Sequence, residues 1–220
     1  MTTEVVSFFA DVDNRTYYSD HAKRLRQGCE ELGMPCDIRQ LQTSGSYRAN
    51  CLSKPRFLLE ILEEKQKPFV WLDVDSIVHR PLEIFDEFGE FYDLAFPYLG
   101  TLNPLMPNVS LIYINNAPVV FEFLKCWIDE CEKNLHGTGR KVFDHEILIC
   151  EVLPSFFLRM KIKQLNPPFA IWPGQTLPED ISPLITIGIA DGDSKKNSLL
   201  EMGMSEEVAK ANLIGNRYHL

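Results

Sequence analysis

Basic residues are too few in this sequence to favour a nucleic acid or an anionic lipid surface as the main partner. Lys and Arg number 22 against 31 Asp and Glu, which gives a net charge of −9 at pH 7. Such a charge repels phosphate backbones and anionic headgroups. A small polyanionic ligand remains compatible with it, because a divalent cation held by carboxylates reverses the local field.

Long apolar runs and closely paired cysteines are also missing. No apolar stretch approaches the ~20 residues needed to cross a bilayer, and no basic segment followed by an apolar one marks a signal peptide at the N-terminus. The six cysteines include no CxxC pair and lie mostly in apolar surroundings, as buried reduced thiols usually do. We therefore expect a soluble cytoplasmic protein without a membrane span, which could be one module of a longer multidomain protein.

What is present is an alternation of short apolar runs with amphipathic segments over the first ~130 residues, which indicates right-handed βαβ units and an α/β fold. We predict helices that begin at Ser19 and Ser53, where a hydroxyl can cap the first turn. Further helices are predicted over 118–131 and 205–213. Strands are predicted at 5–10, 35–41, 69–72, 94–96 and 109–114.

Two carboxylates follow the most apolar of these runs. Residues 69–72 are apolar at four consecutive positions, which is typical of a strand buried on both faces, and Asp73 and Asp75 come directly after it. Ligands of α/β proteins bind beyond the carboxyl ends of parallel strands. We therefore expect both side chains in a crevice, where they can share Mg²⁺ or Mn²⁺ with diphosphate oxygens. A solvated turn or a helix cap is the alternative for this common pattern.

Several short segments form a wider pattern through their order and spacing. They are the first strand and its loop up to Tyr17-Tyr18, residues 51–57 (CLSKPRF), 71–75 (WLDVD), 108–116 (NVSLIYINN) and 144–146 (DHE). Together, over roughly residues 4–150, they resemble the GT-A glycosyltransferases. The likeness is especially to small viral and bacterial members built on one nucleotide-binding domain, among them chlorovirus domains that handle L-rhamnose.

The resemblance implies a GT-A fold, in which a Rossmann-like and mostly parallel central sheet is flanked by helices. Residues 1–220 would form a single domain, with a nucleotide-sugar-binding half at 1–115 and an acceptor-side half at 116–220. The implied activity is metal-dependent transfer of a sugar from a UDP-sugar, such as UDP-L-rhamnose or UDP-glucose, to a glycan acceptor. Mn²⁺ or Mg²⁺ would be the cofactor, bound by the two aspartates.

The same resemblance suggests roles for individual residues. Tyr17 would stack on the nucleotide base, unless it only packs against the start of a helix. Lys54 and Arg56, near a helix N-terminus, would neutralise phosphate oxygens or form an ordinary surface pair. Asn108 would bind hydroxyls of the donor sugar. Asp144 would act near the anomeric carbon as a base or an electrostatic stabiliser, cap a helix, or do both.

One departure from the family pattern concerns the third metal ligand. Many metal-dependent members supply a C-terminal histidine, whereas residues 187–193 of this chain contain none. Asp191, Asp193 or water would take that place, since oxygen ligands suit both Mg²⁺ and Mn²⁺.

Two other functions fit parts of the sequence. Residues 72–75 and 192–197 resemble the nucleophile motif and the metal-binding loop of haloacid-dehalogenase-like phosphatases. The nucleophile strand normally opens the core domain of those enzymes, whereas here two predicted strands and two predicted helices precede it. A non-catalytic module that binds sugar nucleotides is the third hypothesis.

Overall fold

The computed structural model describes residues 3–11, 16–42, 47–97, 107–137, 144–165, 169–171 and 182–188. The strands are β1 (Glu4–Phe9), β2 (Cys36–Gln40), β3 (Phe69–Leu72), β4 (Ile77–Val78), β5 (Leu94–Pro97), β6 (Leu111–Ile114), β7 (Ile162–Leu165), β8 (Ala170–Ile171) and β9 (Ile185–Thr186). The α-helices are α1 (Tyr17–Glu31), α2 (Tyr47–Leu52), α3 (Lys54–Lys65), α4 (Phe88–Phe91), α5 (Pro118–Leu135), α6 (Asp144–Ile147) and α7 (Leu153–Phe156). A 3₁₀ helix (Glu83–Glu87) precedes α4, and a π-helical turn (Leu148–Val152) joins α6 to α7.

The central sheet has six strands in the order β2-β1-β3-β6-β5-β7. Strands β2, β1 and β3 run parallel, β5 and β7 also run parallel, and β6 is antiparallel to both of its neighbours. The predicted α/β class with a mostly parallel sheet is confirmed. The prediction of βαβ units throughout the first part of the chain is wrong at β6, because an antiparallel pair such as β5 and β6 is not a βαβ unit.

Strand β3 is buried on both faces, as its apolar run predicts. Side chains alternate along a strand, so Phe69 and Trp71 pack in a core layer with α3 and α5, whereas Val70 and Leu72 pack in the layer that contains α1. Full burial of one such large apolar side chain contributes about 1.5–3 kcal/mol. Helices on both faces therefore position the carboxyl end of β3 firmly.

Helix α1 begins three residues earlier than predicted, because its N-cap position is Thr16 and not Ser19. Oδ1 of Asp11, just after β1, accepts hydrogen bonds from the backbone N–H groups of Tyr18 (2.9 Å) and Ser19 (3.0 Å). The hydroxyl of Ser19 instead donates to the carbonyl oxygen of Thr16 at 2.8 Å. A carboxylate at a helix N-terminus satisfies exposed N–H groups and interacts favourably with the helix dipole. The cap comes from across the loop, which local sequence rules do not detect.

Among the other helices, α3 begins where the sequence predicts, and the others differ from the prediction. Residues 47–52 form α2, which the sequence did not indicate, and α3 then follows Ser53 with Pro55 in its first turn. Helix α5 extends four residues beyond the predicted end at 131. The predicted helix over 205–213 lies outside the described residues.

The central sheet takes strands from both parts of the chain. Strand β7 pairs with β5, so the division at residue 115 does not divide the sheet. The roles predicted for 1–115 and 116–220 stay predictions. All six cysteines are thiols and not disulfides. None of the helices in the described residues is both long enough and apolar enough to cross a bilayer.

Candidate functional site

The carboxyl end of β3 meets the amino end of β6 because these strands are antiparallel. Leu72 pairs with Leu111, and the backbone N–H of Asp73 donates to the carbonyl oxygen of Ser110 at 2.8 Å. The chain after β3 therefore leaves the sheet beside the segment that leads into β6. This arrangement brings Asp73 close to the turn that contains Asn108.

A buried lysine from the start of α3 lies at the centre of this region. Lys54 is 5% exposed. Its Nζ lies 2.9 Å from Oδ1 of Asp73, 2.8 Å from Oδ2 of Asp144 and 3.3 Å from the carbonyl oxygen of Val109. The two carboxylate contacts are ion pairs, and the carbonyl contact is a hydrogen bond. Lys54 thus joins the end of β3, the start of α6 and the segment before β6.

The two carboxylate oxygens of Asp73 have different environments. Oδ1 contacts the Lys54 ammonium and accepts a hydrogen bond from Nε1 of Trp71 at 3.1 Å. Among the described residues no hydrogen bond reaches Oδ2, and the side chain is 29% exposed. The described part of the chain therefore holds Oδ1 and not Oδ2 of Asp73.

Asp144 is the first residue of α6 and is 5% exposed. Its Oδ1 accepts the backbone N–H of His145 at 2.9 Å, and its carbonyl oxygen accepts Nε1–H of Trp127 at 3.3 Å. Asp144 therefore lies at a helix start and also beside a buried cation. The predicted catalytic role of Asp144 stays a prediction.

Opposite charges determine the ionisation of the buried pair. Burial alone would raise the pKa of Asp144, but the Lys54 ammonium and the interactions with His145 hold that pKa well below its ordinary value of 3.8. Burial would lower the pKa of Lys54, but Asp144 and Asp73 hold it above 10.5. An opposite charge within a few ångströms favours the charged form. Both groups are therefore charged at neutral pH.

Asn108 shapes the turn before β6. Its side-chain Oδ1 accepts the backbone N–H of Ser110 at 2.7 Å, and its own backbone N–H donates to the carbonyl oxygen of Pro97 at 2.7 Å. The predicted contact of its amide with donor hydroxyls stays a prediction.

Asp73 and Asp75 are the residues here whose chemistry suits a hard cation. Asp75 is half-buried in the turn that follows β3, and carboxylate oxygens are ligands that Mg²⁺ and Mn²⁺ prefer. Within the described ranges no three His, Cys, Asp or Glu side chains cluster in a way that could hold a metal. The third-ligand candidates, Asp191 and Asp193, lie outside those ranges.

The structure does not bring Arg56 to this cluster. Arg56 is two residues after Lys54 in α3, about 200° around the helix. Its guanidinium forms a surface ion pair with Glu132 of α5, and 56% of its side chain is exposed. The predicted phosphate contact of Arg56 stays a prediction.

Tyr17 is the first residue of α1, and its ring packs edge-on against other rings there. The ring centroid lies 4.9 Å from that of Tyr18 and 4.6 Å from that of His21. This packing agrees with the alternative that Tyr17 stabilises the helix start. Stacking on a nucleotide base stays a prediction.

The sequence-based predictions missed one residue of the site. The sequence predicts Trp71 as an apolar residue of β3, yet its Nε1–H is shared between Asp73 Oδ1 and the carbonyl oxygen of Val109 (3.2 Å). A buried indole N–H usually needs an acceptor. A tryptophan two residues before an aspartate at a strand end was the available signal.

The class of fold follows from these features. A mostly parallel six-stranded sheet with one reversed strand, covered by helices on both faces, carries its acidic residues at the end of the central strand β3. This arrangement is the GT-A fold that the sequence predicted.

Comparison with known proteins supports the same class. No protein-family model and no curated protein matches the sequence. Among solved structures, the fold is similar to that of a glycosyltransferase involved in the glycosylation of the major capsid of PBCV-1. The match has a TM-score of 0.63 and 13% sequence identity, and it covers 96% of this chain and 98% of the other. The predicted resemblance to a chlorovirus glycosyltransferase is confirmed at the level of the fold.

Proposed function

We propose that this chain is a metal-dependent glycosyltransferase that moves a sugar from a UDP-sugar to a glycan acceptor. The observation that carries the proposal is the cluster of Lys54, Asp73 and Asp144 at the carboxyl end of β3. Ligands of α/β folds bind at such strand ends. The solved glycosyltransferase with a similar fold matches nearly the whole chain, which makes this chemistry the first to test.

Asp73 and Asp75 are the proposed ligands of Mn²⁺ or Mg²⁺. One oxygen of Asp73 is held by Lys54 and Trp71, which leaves Oδ2 for the cation. A bound divalent cation would supply Lewis-acid stabilisation of the charge that develops on the departing nucleotide diphosphate.

Asp144 is proposed to act as a fixed negative charge near the anomeric carbon. A general base works best when its pKa is near the operating pH, whereas the pKa of Asp144 is held far lower by Lys54. Stabilisation of positive charge that develops on the sugar needs no proton transfer. We therefore favour the electrostatic role over the role of base.

The donor contacts complete the proposal. Tyr17 is the proposed platform for the base, Asn108 the proposed partner of the sugar hydroxyls, and Lys54 and Arg56 the proposed phosphate contacts. Lys54 already has three oxygens around Nζ, so a direct phosphate contact would replace one of them. UDP-L-rhamnose and UDP-glucose are the first donors to test.

The test is a panel of UDP-sugars with Mn²⁺, Mg²⁺ or EDTA, in which UDP release and the melting temperature Tm are both measured. A true donor should raise Tm in the presence of the metal, because a ligand that binds the folded state stabilises it by mass action. It should also release UDP slowly to water and faster with a suitable acceptor.

Two outcomes would replace the proposal with one of its rivals. Robust hydrolysis of p-nitrophenyl phosphate with Mg²⁺, without UDP release from any donor, would indicate a phosphatase. Binding of UDP without turnover across a broad donor and acceptor panel would indicate a non-catalytic binding module.

A further inference from the structure

We propose that Lys54 is a positioning residue for the cation site: it holds Oδ1 of Asp73 so that Asp73 presents only Oδ2 to the metal. This inference rests on the proposed function, because it assumes that Asp73 is a metal ligand. Lys54 is then part of the scaffold of that site, in addition to any contact with phosphate.

The argument begins with the two donors that reach Oδ1 of Asp73. The Lys54 ammonium lies 2.9 Å from this oxygen, and Nε1 of Trp71 lies 3.1 Å from it. A carboxylate is planar, so two donors on one oxygen also fix the direction of the other oxygen. Asp73 is thereby set to bind a cation through one oxygen and not through both.

Lys54 can hold Asp73 because it is itself held. Asp144 Oδ2 and the carbonyl oxygen of Val109 contact the same Nζ, and the ammonium lies 5.4 Å from the centroid of the Trp71 ring. Only 7% of the Lys54 side chain is exposed. A lysine on the surface would lose side-chain conformational entropy each time it held an aspartate. The Lys54 side chain is already confined by burial in the folded protein.

A simpler role for Lys54 makes the opposite prediction. If the ammonium only neutralises excess negative charge, its removal would strengthen the attraction between the carboxylates and a divalent cation. If it positions Asp73, its removal would weaken metal binding. Loss of a group that orients a metal ligand typically weakens metal affinity by about 10–100-fold.

The experiment measures the Mn²⁺ dissociation constant from the electron paramagnetic resonance signal of free Mn²⁺, with and without UDP. Lys54→Met keeps the unbranched shape of the side chain, shortens it by one atom and removes its charge, and we expect Mn²⁺ to bind about 10–100-fold more weakly. Lys65→Met is the matched control, because Lys65 ends the same helix and pairs with Asp37 at 2.8 Å and Glu4 at 3.3 Å away from the cluster. Mn²⁺ binding should be unchanged in that variant.

A second comparison remains informative if Lys54→Met does not fold. The double variant Lys54→Met/Asp144→Asn leaves no unpaired carboxylate at the position of Asp144, and it is compared with Asp144→Asn alone. Mn²⁺ should bind about 10–100-fold more weakly to the double variant than to Asp144→Asn.

The possible results separate this inference from the proposed function. Unchanged or tighter Mn²⁺ binding without Lys54, in either comparison, would refute the positioning role and leave the transferase proposal intact. A wild-type protein that binds no Mn²⁺, even with UDP present, would overturn both the metal role and this inference.

Discussion

Removal of the Lys54 ammonium should destabilise the fold strongly even when no metal or donor is present. The side chains of Lys54 and Asp144 are each 7% exposed, so Lys54→Met leaves a buried carboxylate without its cation. Breaking a buried ion pair by removing one partner costs about 3–5 kcal/mol. The Asp73 side chain is 29% exposed to solvent, so the loss of its ion pair adds little to this cost. We expect a loss of about 3–5 kcal/mol in the free energy of unfolding, or about 6–20 °C in Tm for a domain of this size.

The assay is urea unfolding followed by circular dichroism in EDTA, with the free energy obtained by linear extrapolation. Lys65→Met is again the control, because it removes an ammonium from the same helix whose partners, Asp37 and Glu4, retain more solvent contact. We expect a smaller loss than for Lys54→Met, because both partners of Lys65 are more exposed than Asp144. A loss below about 1 kcal/mol for Lys54→Met, or equal losses in both variants, would refute the view that the Lys54 pair is buried and tightly coupled.

The pH dependence provides an independent check of the same pair. The folded pKa of Asp144 is below its ordinary 3.8, so its stabilisation is present above about pH 4 and is lost as the pH falls through the folded pKa. The folded pKa of Lys54 is above 10.5, so its contribution is complete below that pH and is lost as the pH rises through the folded value. The stability of the wild type relative to Lys54→Met/Asp144→Asn should be constant between about pH 5 and 9 and fall below about pH 4. A steady change of this stability difference with pH through neutrality would contradict the view that Lys54 and Asp144 are both charged there.

The remaining predictions concern residues around the cluster. Asp75→Asn should abolish Mn²⁺-dependent UDP release and leave the circular dichroism spectrum unchanged; wild-type turnover with saturating Mn²⁺ would exclude Asp75 as a required ligand. Arg56→Ala should change the free energy of unfolding by only about 0–1 kcal/mol, because its pair with Glu132 is exposed. A lower UDP affinity of this variant, measured by calorimetry, would support the proposed phosphate contact, and an unchanged affinity would contradict it. Tyr17→Ala should weaken UDP binding by about 1–3 kcal/mol if the ring stacks on uracil, whereas Tyr17→Phe should bind UDP as the wild type does. Equal UDP affinity in all three proteins would restrict Tyr17 to packing at the start of α1.

Local patterns in the sequence were sufficient for the class of fold and for the position of the acidic pair. Four consecutive apolar residues indicate a strand buried on both faces, and β3 is such a strand. Asp73 and Asp75 come at its end, where charged groups can leave the core. Pro118 at the start of an amphipathic segment likewise predicted α5. These features depend on the periodicity and chemistry of neighbouring residues, which the sequence contains in full.

The tertiary structure alone decided how the site is assembled. The direction of β6, which places Ser110 beside Asp73, depends on strand pairing and not on the composition of the strand. The contacts of Lys54 with Asp73 and Asp144 join residues of three separate elements, and the Asp11 cap of α1 crosses a loop. Ion pairs and caps of this kind arise from positions in space, and a one-dimensional pattern does not specify which distant groups will meet. The sequence by itself therefore determined which side chains are present, and the packing of the sheet and helices determined which of them meet.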